Sequence, residues 1–539
     1  MTEQSTRRAE SFAVLASCLA LSTVAVIWSW RHGAMLNYGD AVAHLHIARR
    51  VFDSHRPGLT QLGSVWLPLP HLLLIPFVAV YSWWANGIAG MIPSALAYLA
   101  ASAGVYRLAR HWLHPPAATL ALAFFAANPN LLYLQTTAMT EPLFLCEFVW
   151  TVVWLVEWRT SIDSDQRRAA RQLWCIAAVL VAAIYTRYDG WVLALLAWVS
   201  IGLVLLRRGG LRSRVFWLAG ALVVAAPVAW FIYNATIFGD WLDFARGPYS
   251  ARAIEMRTAT SGSGPPHPGW HNPWVALLFF VKTAEMDAAA VAWGNTLLAL
   301  SLFGVAWAWL TSRKRALLWA LLLWLPVPFY AYSVAFGSVP IFLPVWWPHS
   351  WYNTRYGLEL LPALALGLGF AAQFALSAVR EFKPSLTRYA YASLFALVAL
   401  NAIQVVREQP LTYVEGTKNI ESRRPFELEI PPVLRALLSN RPGGVILMDT
   451  SVYPQLVALT GIPLRQTINE SDKQFYSDAL AAPAAHAAIV LAFDGDQIDS
   501  AVKAHPNGLR AVRRFTAPDQ ASATVYVLDT EALNKGSQR

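Results

Sequence analysis

Two carboxylates stand where acid–base or charge-orienting work could be done. Asp40 sits in Asn37-Tyr-Gly-Asp40-Ala-Val-Ala-His44-Leu-His46, directly after Gly39 and ten residues past Trp30, the end of a first apolar run. A carboxylate there can cap a helix by accepting backbone N–H bonds. It also suits a general base that takes a proton from an acceptor hydroxyl. His44 follows four residues later, so it shares a helix face with Asp40 if a helix starts there. Asp40, His44 and His46 have poor spacing for a metal. Polar interfacial histidines are the better reading, and a divalent cation stays open. Glu141, in Thr140-Glu141-Pro142, suits a helix first turn and is a candidate second acidic group beside Asp40.

The cations that could meet them are as sparse. Thr186-Arg187-Tyr188-Asp189-Gly190 reads as a tight turn, with Arg187 and Asp189 either a local ion pair or substrate contacts. Arg355 and Tyr356 open a later apolar run. An arginine at a helix N-terminus is unusual, because the dipole there already favours anions. A bound phosphate would explain it, with guanidinium and helix N–H groups both donating; a snorkelling arginine is the plainer alternative. Lys282, near Glu285, is either a substrate contact or an interfacial anchor.

These residues must be carried by membrane helices. Hydrophobic residues are 56% of 539 and charged residues only 14%, against about 25% in soluble domains. The 25 tryptophans suit a membrane interface. The three cysteines, Cys18, Cys146 and Cys175, form no CxxC and read as inert thiols. The net charge of +10 does not indicate nucleic acid, since the arginines lie in short clusters between apolar runs. About eleven runs approach the ~20 residues a spanning helix needs: Ser11–Trp30, Ile88–Tyr106, Ala117–Leu134, Leu143–Trp158, Leu173–Arg187, Trp191–Leu206, Val215–Tyr233, Ala289–Leu310, Ala316–Ala335, Tyr356–Ser377 and Tyr389–Val406. With the N-terminus inside, every expected cytoplasmic loop is short and basic, including Arg207/Arg208 and Arg313/Lys314/Arg315. Asp40, Glu141, Arg187 and Arg355 then face the other side. Leu67–Trp84 holds Pro68, Pro70, His71 and Pro76. It reads as an interfacial or re-entrant helix, since a full span there would invert every later loop.

The expected fold is an all-α polytopic transmembrane bundle over residues 1–407, with a first outer loop at 31–87 carrying juxtamembrane helices. A flexible outer loop spans 234–287, its Ser261–Pro268 segment reading as a mobile flap. A C-terminal soluble α/β domain follows over 408–539. Its strands read as Gly443–Asp449, Ala487–Phe493 and Ala523–Leu528, with helices between them and no Gly-rich phosphate loop.

A transferase facing away from the cytosol lacks nucleotide sugars, so its donor must arrive in the membrane. A polyprenyl-phosphate sugar meets that condition, and its phosphate leaves without a strong general acid. Gly39-Asp40 with its following helix resembles the GT-C glycosyltransferases, as do Trp66-Leu-Pro-Leu-Pro-His71, Thr140-Glu141-Pro142 and Arg355-Tyr356 before Pro362. The likeness covers roughly residues 11–406 and is greatest to the protein O-mannosyltransferase and lipid A aminoarabinose transferase branch. It implies a lipid-phosphate sugar donor and a catalytic aspartate matching Asp40, with Glu141 at a second acidic position. Ala41 replaces the second acidic residue usual in the O-mannosyltransferases, which leaves lipid, glycan and protein acceptors open. The expected setting is a bacterial inner (plasma) membrane, with the active site and C-terminal domain extracytoplasmic. A transporter or lipid flippase is the rival, but no internal repeat is visible and the polar groups gather at helix ends rather than midplane. A non-catalytic assembly or sensor protein is the third reading.

Overall fold

The computed structural model describes residues 3–258, 266–311 and 316–529. The basic cluster 313–315 and residues 261–265 of the expected flap lie outside them. Two compact units divide the chain. One comprises Met1–His32, Ser64–Pro70 and Met91–Glu415; the other comprises Gly33–Gly63, His71–Gly90 and Gly416–Arg539.

The first unit is helical. Among the described residues the chain has nine helical segments long and apolar enough to cross a membrane, from Phe12–Arg31 to the last at Pro384–Ser439. Leu218, Val224 and Ile232 of the Arg214–Phe238 helix are 60%, 62% and 58% exposed. Such a row would be a liability in water and is at home against lipid tails. The chain is an integral membrane protein.

Two of the eleven expected spans are not among these nine. The run expected over Ala117–Leu134 is broken into Pro115–Ala126 and Pro129–Leu134. The Asn128 side chain accepts the Leu131 N–H at 3.1 Å, and Pro129 has no N–H to continue the first helix. The Glu141–Ser161 helix is 21 residues, long enough to cross, but carries Glu141, Glu147 and Glu157. The 234–287 loop is also more ordered than expected. The preceding helix runs on to Phe238, and Pro273–Ala288 is a helix, started by Pro273 and capped by Asn272. Leu67–Trp84 resolves into the short helices Pro68–Val78 and Tyr81–Asn86; eleven residues reach only ~16 Å, half the hydrocarbon thickness.

In the second unit, five strands form one sheet in the order β2-β1-β3-β5-β4: β1 Ile446–Met448, β2 Thr467–Ile468, β3 Ile489–Phe493, β4 Leu509–Phe515 and β5 Ala523–Leu528. β2, β1 and β3 are parallel, and β5 and β4 pair antiparallel. Leu447, Val490 and Ile468 pack with Ile498 and Val502 of the Gln497–Ala504 helix. β2 and β4 were not apparent in the sequence. β2 is only two residues, and β4 (LRAVRRF) is an exposed edge strand whose arginines hide the apolar alternation.

At the carboxyl ends of β1 and β2, Glu470 is half-buried and accepts the Thr450 N–H and hydroxyl at 2.9 and 2.8 Å. Burial, then the charge of Asp449, pushes its carboxyl up to about 7. The folded state therefore holds a proton that an unfolded chain, with a value near 4.5, releases. The stabilisation is full below 4.5 and is lost as pH rises toward 7. Amide protection at residues 446–448 and 467–468 of the whole protein, corrected for the intrinsic base-catalysed rise in exchange rate, is expected to fall across that window. In Glu470→Gln this pH dependence should be largely absent; an identical profile in both proteins would contradict the assignment.

Candidate active site

In the first unit, five of the residues singled out from sequence meet in one buried cluster. Glu141 is the first residue of its helix and is 1% exposed. Its Oε1 accepts from Arg187 Nη1 at 3.1 Å and from Arg355 Nε at 3.0 Å. Arg187 fills the break between the Gln166–Thr186 and Asp189–Leu206 helices. That break is tight because Gly190 lies against the Ala183 carbonyl, where a Cβ would come within 2.2 Å. Arg187 also donates to Asp189 at 3.1 Å and to the Tyr330 hydroxyl at 2.8 Å, and pairs with Glu359 at 3.1 Å. Tyr356 lies beneath both cations, its ring 4.9 Å from the Arg187 guanidinium and 5.1 Å from that of Arg355.

Arg355 is buried rather than snorkelling. It lies in the 3-10 turn Thr354–Leu360, ahead of the Leu361–Phe382 helix. Where the sequence suggested a phosphate at this helix start, a carboxylate of the chain itself meets the donors. Glu415 accepts the backbone N–H groups of Asn353 and Thr354 at 2.8 and 3.0 Å, the Thr354 hydroxyl at 2.6 Å and Arg355 Nη1 at 2.8 Å. Four carboxylates (Glu141, Asp189, Glu359 and Glu415) thus face two arginines. Glu141 Oε2 is buried with no hydrogen-bond partner among the described residues.

Asp40 belongs to the second unit. It is not the N-cap: the helix Gly39–Arg50 has Tyr38 at that position, and Asp40 lies in its first turn. Gly39 N–H donates to Asn419 Oδ1 at 2.6 Å, and a Cβ on Gly39 would stand 3.1 Å from that oxygen. Arg423 Nη2 donates to the carbonyls of Leu36 and Asn37 at 3.1 and 2.9 Å, and the charge of Asp40 acts on Arg423. His44 and His71 form a buried pair, Nδ1 to Nε2 at 2.8 Å, so at least one ring is neutral. Burial, then the charge of Arg50, lowers His46 to about 3. Lys282 pairs with Glu285 at 2.9 Å, one turn along its own helix. No group of three or more His, Cys, Asp or Glu side chains among the described residues is placed to hold a metal.

Sequence reasoning missed Tyr330, Glu359, Glu415, Asn419 and Arg423. Glu359 left a signal, a carboxylate in an apolar run four residues after Arg355. Glu415 left none, being one charge among many in a polar stretch.

Residues 69–233 match the protein family described as dolichyl-phosphate-mannose-protein mannosyltransferase. The fold is similar to that of ArnT from Cupriavidus metallidurans bound to undecaprenyl phosphate, with a TM-score of 0.56 and 13% identity over 95% of this chain and 98% of that one. The chain has the GT-C glycosyltransferase fold. An oligosaccharyltransferase of Archaeoglobus fulgidus, in complex with Zn and sulfate, is also similar, at a TM-score of 0.49 and 11% identity over 95% of this chain and 72% of that one. No curated protein sequence matches. The matched family segment contains His71, Glu141, Arg187 and Asp189, while Asp40 and Arg355 lie beyond it.

Removing one partner of a buried ion pair costs about 3–5 kcal/mol, because the other charge is left without compensation. Glu141→Ala, which strips both arginines of a shared acceptor, is expected to cost stability of that order and so to lower the thermal midpoint of the purified protein. Glu141→Gln should lower it less. Midpoints unchanged in both would mean the bridge does not hold the cluster.

Proposed function

We propose that the protein is a membrane glycosyltransferase that moves a sugar from a polyprenyl-phosphate donor to an acceptor hydroxyl on the extracytoplasmic face of a bacterial inner membrane. The observation that carries this reading is Glu141 bridging Arg187 and Arg355 at the ends of apolar helices within a GT-C fold. The ArnT structure with the same fold was solved with undecaprenyl phosphate, the kind of carrier that the proposed donor would leave behind.

In the proposed reaction Asp40 takes the proton of the acceptor hydroxyl. The freed oxygen attacks the anomeric carbon, the bond from that carbon to the phosphate oxygen breaks, and polyprenyl phosphate departs with inverted configuration left on the sugar. Arg355 and Arg187 hold the phosphate. Since four carboxylates already face them, the phosphate competes with Glu415 and Glu141 for these donors rather than adding to them. The unpartnered Glu141 Oε2 suits a donated sugar hydroxyl. Tyr356 and Asp189 fix the two guanidinium planes. His44, His71 and Lys282 serve substrate binding. The helices up to residue 407 carry the donor, and the region from 408 onward faces the same side as the acceptor.

Asp40→Asn is expected to cut transfer from a polyprenyl-phosphate sugar by about 10²–10⁴-fold, with the thermal midpoint of the protein unchanged. Full transfer in a folded Asp40→Asn protein removes Asp40 as the base. Arg355→Lys, which loses the planar fork, should raise the donor KM more than it lowers kcat. A cysteine placed at position 40 should react only from the outer side; labelling from the cytosol alone would reverse the topology.

A further inference from the structure

At the other end of the Asp189–Leu206 helix, ~27 Å from the arginine cluster, the first unit holds a cavity of about 1110 Å³ between that helix and residues 317–328. The cavity has a physical cause. The 317–336 segment is not one α-helix: it passes from Leu317–Ala320 through a 3-10 turn, Leu321–Trp324, before Pro326–Phe336 begins. Pro326 and Pro328 have no N–H to return to the carbonyls of residues 322 and 324. The loosened segment leaves a gap that its leucines line but do not fill.

The lining is amphiphilic in a definite order. Leu196 and Leu203 lie along one wall and Leu322 lies on the other. Arg159, Arg207 and Arg208 stand at the end where the Asp189–Leu206 helix stops. Asp163 answers part of that charge, accepting from Arg208 Nη2 at 2.9 Å and from Arg159 Nη1 at 3.5 Å. Three cations against this one carboxylate leave two positive charges beside an apolar chamber. A free phosphate would leave the leucine walls against water. A plain hydrocarbon would leave the arginines without a counter-charge, and a zwitterionic lipid brings its own ammonium to the same place.

We propose that this cavity is a binding site for a phosphate-bearing anionic lipid, its phosphate among Arg159, Arg207 and Arg208 and its acyl chains along the leucine walls. The site is separate from the proposed donor site and does not depend on the transfer reaction.

Native mass spectrometry of the full-length protein with equal amounts of phosphatidylglycerol and phosphatidylcholine tests it. Phosphatidylglycerol should be retained in preference, and excess inorganic phosphate should not displace it. The Arg207→Gln/Arg208→Gln double variant should weaken that retention about thirtyfold, while Arg171→Gln, outside the cavity, should not. Leu203→Trp, which fills the chamber, should lower retention with the arginines intact. Photoreactive phosphatidylglycerol on the unaltered protein should label residues 196–208 and 318–328, which keeps the test independent of any variant's folding. Equal retention of phosphatidylcholine, displacement by inorganic phosphate, or labels confined to other segments overturns the proposal.

Discussion

Glu141 shares a single oxygen between two guanidinium groups, one 46 and the other 214 residues away in sequence. Each of these charges is nearly dry, and an unpaired charge in such a place is not tolerated. The pairing is therefore a condition of the fold around it. It ties the start of the Glu141–Ser161 helix to the break before Asp189 and to the 3-10 turn at Thr354–Leu360. Glu415 extends the constraint by satisfying the orphan N–H groups at the start of that turn as well as Arg355. Whatever chemistry the cluster performs, its arginines are already oriented before a ligand arrives, and little side-chain entropy is left to lose.

Breaks in helices do much of the positioning. Asn128-Pro129 ends one helix and starts another, and the amides of Asn128 and Asn130 donate to the Asp287 carbonyl at 2.8 and 3.0 Å. Pro326 and Pro328 open the arginine-rimmed cavity at the far end of the Asp189–Leu206 helix. In both places a proline has no N–H to carry the preceding helix on. The second unit works by a different rule. Asn419 and Arg423, four apart on one helix face, hold the backbone on either side of Tyr38 and so fix where Asp40 begins its helix.

The local sequence determined the apolar runs, the strands β1, β3 and β5, and the presence of Glu141, Arg187, Asp189, Arg355 and Tyr356 at run ends. Each is a matter of composition over a few residues, where length and period set the element and an ionisable group beside an apolar run demands a reason. Tertiary structure alone decided who answers that demand. It brought Glu359, Tyr330 and Glu415 to the two arginines and paired His44 with His71. It also left β4 exposed at the sheet edge. The reason is that burial is a local requirement of a charged group, whereas its satisfaction is a contact, and contacts 60 to 214 residues apart leave no periodic trace in the chain.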